Sequence, residues 1–167
     1  MSRIAYVNGR YLPHGAATVH IEDRGYQFAD GVYEVIAVRD GVLIDGDWHM
    51  ERLQRSLSEL RIAMPMSVAA LNIVLSETVR RNRFSVGIVY LQVSRGVARR
   101  DHPFPKDGTP PALVVTARRT PPTPAKIIDE GIAGISQPDI RWDRCDIKTI
   151  ALLPNVLVKQ AAREQGA

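Results

Sequence analysis

The sequence predicts an α+β fold, in which a small antiparallel sheet and two helices are followed by a proline-rich linker and further chain. Three patterns predict it. An Asn-Gly pair at residues 8–9 and an Asp-Gly pair at residues 40–41 each separate two apolar segments, and such pairs are strong signals of a β-hairpin. In residues 47–61, leucines recur every three or four positions, as on one face of a helix. Prolines cluster at residues 120–124, where neither a helix interior nor a central strand can form.

Two hairpins open the chain. We predict strands at residues 4–7 and 10–12 around the first turn, and at residues 32–39 and 42–44 around the second. Between the hairpins, residues 22–31 are polar and include two aromatic and four charged side chains. This composition predicts a loop, and loops carry functional residues more often than strands do.

Two helices follow the hairpins. The first is predicted at residues 47–61, with Asp47 as its candidate N-cap. Its apolar face is made by Leu53, Leu57 and Leu60. Ser67 can cap a second helix that runs to about residue 83. We then predict strands at residues 87–94 and 112–117, separated by an irregular stretch.

The domain boundary is predicted at the prolines. Residues 1–119 form an N-terminal α+β domain, residues 120–124 a linker, and residues 125–167 a second piece. Within that piece we predict a strand at residues 132–136 and a helix at residues 152–164. One strand and one helix cannot form a core of their own, so this piece is expected to be the beginning of a second domain.

Composition limits the class of protein. The 167 residues carry 22 Lys+Arg and 18 Asp+Glu, a formal net charge of +4. The basic residues are mostly arginine but are scattered, without the basic stripe and motif typical of nucleic-acid binders. No apolar run reaches the roughly 18 residues of a membrane span, and the lone cysteine, Cys145, suits a reducing compartment. We therefore expect a cytoplasmic protein that binds neither nucleic acid nor membrane.

Two candidate sites involve cations. Lys148 lies between Ile147 and Ile150 after an arginine-rich loop, and a lysine near apolar residues and other cations can act as a nucleophilic amine. By spacing alone, a surface lysine that extends its amine into solvent is the favoured alternative. Arg52, one turn after His49, could hold an anion, or it could be part of an exposed helix face.

A third candidate lies in the irregular stretch. Arg100 and His102 are followed by prolines that stiffen the loop, so they could converge on a carboxylate with little loss of entropy. A solvated loop with an internal Arg–Asp pair is an equal alternative. Tyr33, on a predicted strand, is a further candidate, although strand tyrosines usually pack their ring in the core with the hydroxyl at the edge, and a core role is the favoured alternative. The four histidines are far apart and no Cys/His cluster has zinc spacing, so we expect no metal.

Four stretches of the chain occur in the order and at the spacing of one enzyme family. They are residues 23–35 (DRGYQFADGVYEV), 49–53 (HMERL), 94–105 (SRG through RDHPFP) and 139–160 (DIRWDRCDIKT, then LL and KQ). Together they resemble the fold-type IV pyridoxal-phosphate enzymes, and within that family most closely the D-amino-acid aminotransferases. The one local departure is Ala29, where the family commonly has glycine.

The resemblance implies a fold, a chemistry and a set of roles. The fold is a two-domain architecture, of which this chain would hold the complete N-terminal domain and the start of the cofactor-binding domain. Lys148 would form the Schiff base with pyridoxal 5′-phosphate and move the substrate α-proton, and Arg52 would neutralise the cofactor phosphate. Tyr33, Arg100 and His102 would bind the substrate carboxylate. The substrates would be D-amino acids and 2-oxo acids, and the protein would be a homodimer.

Other interpretations stay open at this point. Within the same family they are a branched-chain aminotransferase, an aminodeoxychorismate lyase and an (R)-amine transaminase. Outside it they are a catalytically incomplete, non-enzymatic fragment and an arginine-rich binder of anions or nucleic acid. The pair Arg100 and His102 favours the D-amino-acid branch.

Overall fold

In this computed structural model, which describes residues 3–106 and 108–167, six strands form one antiparallel sheet. The strands are β1 Ile4–Val7, β2 Arg10–Pro13, β3 Gly31–Arg39, β4 Val42–Leu43, β5 Gly87–Ser94 and β6 Ala112–Arg119. Their order across the sheet is β2-β1-β6-β5-β3-β4. Since β4 pairs only with the last two residues of β3, the first residues of β3 keep an edge free for another segment.

Helices pack on one face of this sheet and form the core with it. The helices among the described residues are α1 Arg24–Phe28, α2 Gly46–Glu59, α3 Val68–Asn82, α4 Ala125–Glu130 and α5 Leu153–Glu164. Of these, α2 packs on β3, and α3 packs on β1, β5 and β6. The largest buried apolar side chains come from these elements: Ile36, Met50, Leu53, Leu57, Leu71, Leu75 and Leu91. The α+β prediction is thereby confirmed, and no described helix is long and apolar enough to cross a membrane.

Both predicted hairpins are confirmed, with two-residue turns. Val7 pairs with Arg10 across the first turn, and Arg39 pairs with Val42 across the second. The turn residues all have positive φ, at 43° and 92° for residues 8–9 and at 51° and 78° for residues 40–41. A type I′ turn requires this backbone conformation, and Asn-Gly and Asp-Gly adopt it at low cost.

Two predictions near the helices need correction. The stretch at residues 22–31 contains the short helix α1, which begins because the Asp23 side chain accepts the N–H of Gly25 at 2.8 Å. The helix at residue 47 begins earlier, at Gly46, after Asp45 in a left-handed conformation and without a side-chain cap from Asp47. Ser67 caps α3 as predicted, by accepting the Ala70 N–H at 3.3 Å.

The strand predicted at residues 132–136 is wrong. Among the described residues this segment pairs with nothing, and Ile132 is 82% exposed. A short apolar run becomes a strand only where a sheet edge offers hydrogen-bonding partners, and this run meets none. Instead, the preceding residues form α4. Residues 120–124 form neither helix nor strand, and the domain boundary there stays a prediction.

Candidate active site

The segment that carries Lys148 is attached to the free edge of β3. Tyr33 donates its backbone N–H to the Lys148 carbonyl at 3.1 Å, and Ile150 donates its N–H to the Gly31 carbonyl at 3.2 Å. The Lys148 N–H in turn donates to Ser56 Oγ, on α2, at 3.3 Å. Two of these hydrogen bonds hold the backbone of Lys148 itself, and the third holds the backbone two residues later.

The Lys148 amine lies over an aromatic ring. Its Nζ is 4.3 Å from the centroid of the Tyr33 ring, within the range of a cation–π contact. The Tyr33 ring stacks on Tyr90 with centroids 5.7 Å apart. Burial, and secondarily the nearby Tyr33, raises the pKa of Tyr90 to about 12, so Tyr90 stays neutral at physiological pH. The two stacked rings thus lie beneath the amine.

Arg52 is paired with a fully buried carboxylate. Its Nε and Nη2 donate to Glu34 Oε1 and Oε2 at 2.7 and 2.6 Å, while His49 Nδ1 lies 2.8 Å from Glu34 Oε2. The hydrogen bonds with Glu34 raise the pKa of Arg52. About half of the Arg52 side chain is exposed, at 48%. The ion pair with Glu34 uses Nε and Nη2, which form one edge of the guanidinium, and Nη1 takes no part in it. Arg52 is therefore an oriented cation whose other edge can meet an anion.

Glu34 was missed by the sequence analysis, although the sequence contains a signal for it. Along β3, Glu34 lies on the same face of the sheet as the buried side chains of Val32, Ile36 and Val38. At a position on this face, the alternation of a strand predicts an apolar side chain. A carboxylate at such a position must find a cationic partner, since an unpaired buried charge is strongly disfavoured. The partner could not be identified from spacing, because Arg52 lies 18 residues away on another element.

A second ion cluster holds the chain just before Lys148 against α2. Arg55 donates to the Asp146 carboxylate and carbonyl at 2.7 Å each, and Arg144 bridges Asp146 and Glu59. Hydrogen bonds from Arg144 and Arg55 lower the pKa of Asp146 to about 2 despite the opposing effect of burial. All four side chains are well exposed, so this cluster orients the segment more than it stabilises the fold.

These elements enclose a cleft of about 510 Å³. Tyr33, Arg52 and Lys148 line it, together with residues 140–142, 145–147 and 151–155 in part. Its volume falls within the range typical of small-molecule sites, about 300–1,000 Å³. The structure thus brings together three of the five residues singled out by sequence: an amine, an aromatic ring and an oriented guanidinium.

Arg100 and His102 lie elsewhere in the chain. Both are exposed and pack against the ring of Phe28 in α1, with the Arg100 guanidinium carbon 5.1 Å and the His102 ring 5.6 Å from its centroid. Neither is among the described residues that line the Lys148 cleft. The predicted carboxylate pair is therefore together on one loop, but it does not line this chain's own cleft.

A buried ion cluster lies beneath that loop. Asp30 accepts from Arg24 Nε at 2.7 Å, and from Arg95 Nε and Nη2 at 2.7 and 2.9 Å. The side chains of Arg24 and Arg95 are only 4% and 8% exposed. Burial raises the pKa of Asp30, but hydrogen bonds from Arg95 and Arg24 outweigh it, so the pKa lies below its ordinary value.

Replacing Asp30 by asparagine should destabilise the fold at neutral pH by about 3–5 kcal/mol, because two buried guanidiniums lose their carboxylate. The unfolded chain binds a proton at Asp30 more readily than the folded chain, so this stabilisation is present above pH ~4 and is lost as the pH falls through the lower folded pKa.

Denaturant unfolding at pH 7 and pH 3 measures the free energy of unfolding of the wild type and of the variant. The difference between wild type and Asp30→Asn should shrink at pH 3. Asp139→Asn, which removes an exposed pair with Arg141, is the control and should change little. An equal difference at both pH values would contradict the assignment.

Comparison with known proteins supplies a family for this arrangement. A model of the family described as amino-transferase class IV matches residues 31–167. D-alanine aminotransferases of Bacillus licheniformis and Listeria innocua are 45% and 40% identical over 161 and 162 residues, each covering 96% of this chain. The chain spans 56% of the length of these relatives.

Solved structures agree on the fold. The branched-chain amino acid aminotransferase of Escherichia coli superposes with a TM-score of 0.81 at 20% identity, covering 99% of this chain and 56% of that one. The 4-amino-4-deoxychorismate lyase of Pseudomonas aeruginosa gives a TM-score of 0.70 at 23% identity, covering 93% and 56%. At these identities the likeness concerns the fold alone.

Proposed function

The chain belongs to the class IV aminotransferase family, and from that premise we propose that the whole protein transfers amino groups between D-amino acids and 2-oxo acids with pyridoxal 5′-phosphate. The observation that carries the proposal is the cleft in which Lys148, Tyr33 and Arg52 converge. The D-alanine aminotransferases among its relatives support the substrate class.

The residues present suit this cofactor. An aldehyde that carries a phosphate needs an amine to bond with and a cation to offset its charge. The cleft offers the Lys148 amine and the open edge of Arg52, in a volume suited to a small molecule. When bound, the cofactor supplies the aldehyde and the electron sink that the reaction needs.

The roles of the chain's own groups follow from their geometry. The Nζ of Lys148 is the attachment point and the carrier of the α-proton, because hydrogen bonds hold the backbone of its segment while Lys148 lines the cleft. Tyr33 limits the side from which that amine approaches, since its ring lies directly beneath it. Arg52 holds the phosphate, and Glu34 with His49 keeps its guanidinium oriented.

The substrate carboxylate is bound by Arg100 and His102, with Tyr33 completing the site. Since that loop is exposed and lies outside this chain's cleft, it serves the site of a second subunit, and the protein is a homodimer. Exposed apolar side chains around the loop support this assembly: Ile21, Tyr26, Val97 and Phe104 are 76%, 76%, 42% and 54% exposed. A cytoplasmic location belongs to the same proposal, because the one cysteine is free and exposed.

The test is a substrate panel on the full polypeptide loaded with cofactor. D-alanine, an L-branched-chain amino acid and a simple (R)-amine are each offered with 2-oxoglutarate as the acceptor. We expect D-alanine to be used with the highest kcat/KM. Preference for the L-branched-chain substrate or the amine would reassign the protein within its family, and no turnover with any donor would favour the non-enzymatic alternative.

A further inference from the structure

Arg24 links the buried ion cluster to the loop that carries Arg100 and His102. Its Nε donates to Asp30, and its Nη1 and Nη2 donate to the backbone carbonyls of Asp101 and His102 at 2.6 and 3.2 Å. All three guanidinium nitrogens are thus engaged, and the side chain is almost fully buried. No other amino acid has three donors in one rigid plane, so the contact is specific to arginine.

The rest of α1 forms the surface on which the loop rests. The Phe28 ring contacts both Arg100 and His102, and Arg24 lies over the same ring at 4.8 Å. At its base the loop is held independently of these side chains. There, the Arg24 N–H donates to the Gly96 carbonyl, and the Ala98 N–H donates to the Glu22 carbonyl.

We infer that Arg24 is a positioning residue that sets the place of Arg100 and His102 for the substrate carboxylate, with Phe28 as the surface they rest on. The two carbonyls that Arg24 binds belong to His102 itself and to the residue between the two carboxylate-binding side chains. Fixing these peptide groups fixes the directions of both side chains, which are otherwise exposed and free to adopt many rotamers. This inference rests on the proposed function.

The experiment is Arg24→Lys in the full polypeptide loaded with cofactor. Lysine keeps the charge beside Asp30, but its three N–H donors share one nitrogen, so it cannot reproduce the three separate positions from which Arg24 binds Asp30 and the two carbonyls. We expect KM for D-alanine to rise on the order of 10-fold with kcat changed less than about twofold, because a displaced loop weakens substrate binding. The kcat/KM for an (R)-amine without a carboxylate should be unchanged.

A second readout does not depend on activity. Hydrogen exchange at the amides of residues 99–102 should speed up in Arg24→Lys, while exchange in the core strands stays slow. Val89→Ala, in the buried middle of β5, controls for a general loss of stability and should leave both the loop exchange and KM unchanged. If Arg24→Lys fails to fold, Phe28→Leu removes the aromatic surface while leaving all donors and acceptors of the ion cluster in place, and the same rise in KM is expected.

The outcomes separate this role from the proposed function. If Arg100→Ala raises KM for D-alanine but Arg24→Lys and Phe28→Leu leave KM and loop exchange unchanged, Arg24 does not position the loop and the inference is overturned. If Arg100→Ala itself leaves KM unchanged, the proposed carboxylate site fails and this role of Arg24 fails with it. A rise in KM that is equal for D-alanine and the (R)-amine would also overturn the inference.

Discussion

Lys148→Ala should lower kcat for D-alanine by at least about 10⁴-fold, because the substitution removes both the attachment point and the group that moves the α-proton. The fold should be retained. The backbone N–H and carbonyl of Lys148, which attach its segment to β3 and α2, are present in alanine as well. Steady-state kinetics measure the loss, and the unfolding temperature checks the fold.

Chemical labelling provides the control for this prediction. Borohydride reduction after incubation with pyridoxal phosphate should trap the cofactor on Lys148 in the wild type and on no residue in the variant. The other lysines of the chain, Lys106, Lys126 and Lys159, serve as internal references. Labelling at one of these, with Lys148 unmodified, would reject Lys148 as the catalytic lysine.

Arg100→Ala should weaken the use of D-alanine about 10- to 150-fold in kcat/KM, the effect of losing a charge-assisted hydrogen bond of about 1.5–3 kcal/mol to the substrate carboxylate. Cofactor binding should be unchanged, since Arg100 is assigned to the substrate carboxylate and the cofactor phosphate is assigned to Arg52, which lines the Lys148 cleft. The measurement is steady-state kinetics with D-alanine and, in parallel, with an (R)-amine that has no carboxylate.

Two further variants, one adjacent in sequence and one in the cleft, serve as controls for this result. Arg99→Ala removes an adjacent, equally charged and exposed side chain and should have little effect. Arg52→Ala should show the opposite profile, with weaker cofactor binding as its first consequence, because Arg52 lines the cleft. An equal loss for D-alanine and the amine in Arg100→Ala would mean that the arginine is structural, and the D-amino-acid assignment would lose its main support.

Elements defined by local chemistry could be predicted from the sequence. The hairpin turns follow from residues that tolerate positive φ, α2 follows from apolar spacing, and α3 follows from a serine cap. The short helix α1 escaped prediction, because five residues offer too few positions for a period to be recognised. The strand expected at residues 132–136 failed for the opposite reason: the local pattern was present, but among the described residues the segment pairs with no edge of the sheet.

For the candidate site too, one part could be predicted from the sequence and another part required the structure. Lys148, Arg52, Tyr33, Arg100 and His102 could all be named from motifs in the sequence. The role assigned to each of these residues stays a prediction, but the structure shows which of them lie close together. It places the first three around one cleft and the last two on a loop beside α1.

The sequence by itself determined the α+β class, both hairpins, the two long helices and the family to which the chain belongs. Only the tertiary structure decided that Glu34 holds Arg52, that the Lys148 segment completes the free edge of β3, and that Asp30 joins Arg24 to Arg95. The physical reason is the range of the interactions. Turns, caps and periodicity depend on residues within a few positions of one another, whereas a buried charge is satisfied by whichever partner the fold brings beside it, here from 6 to 65 residues away.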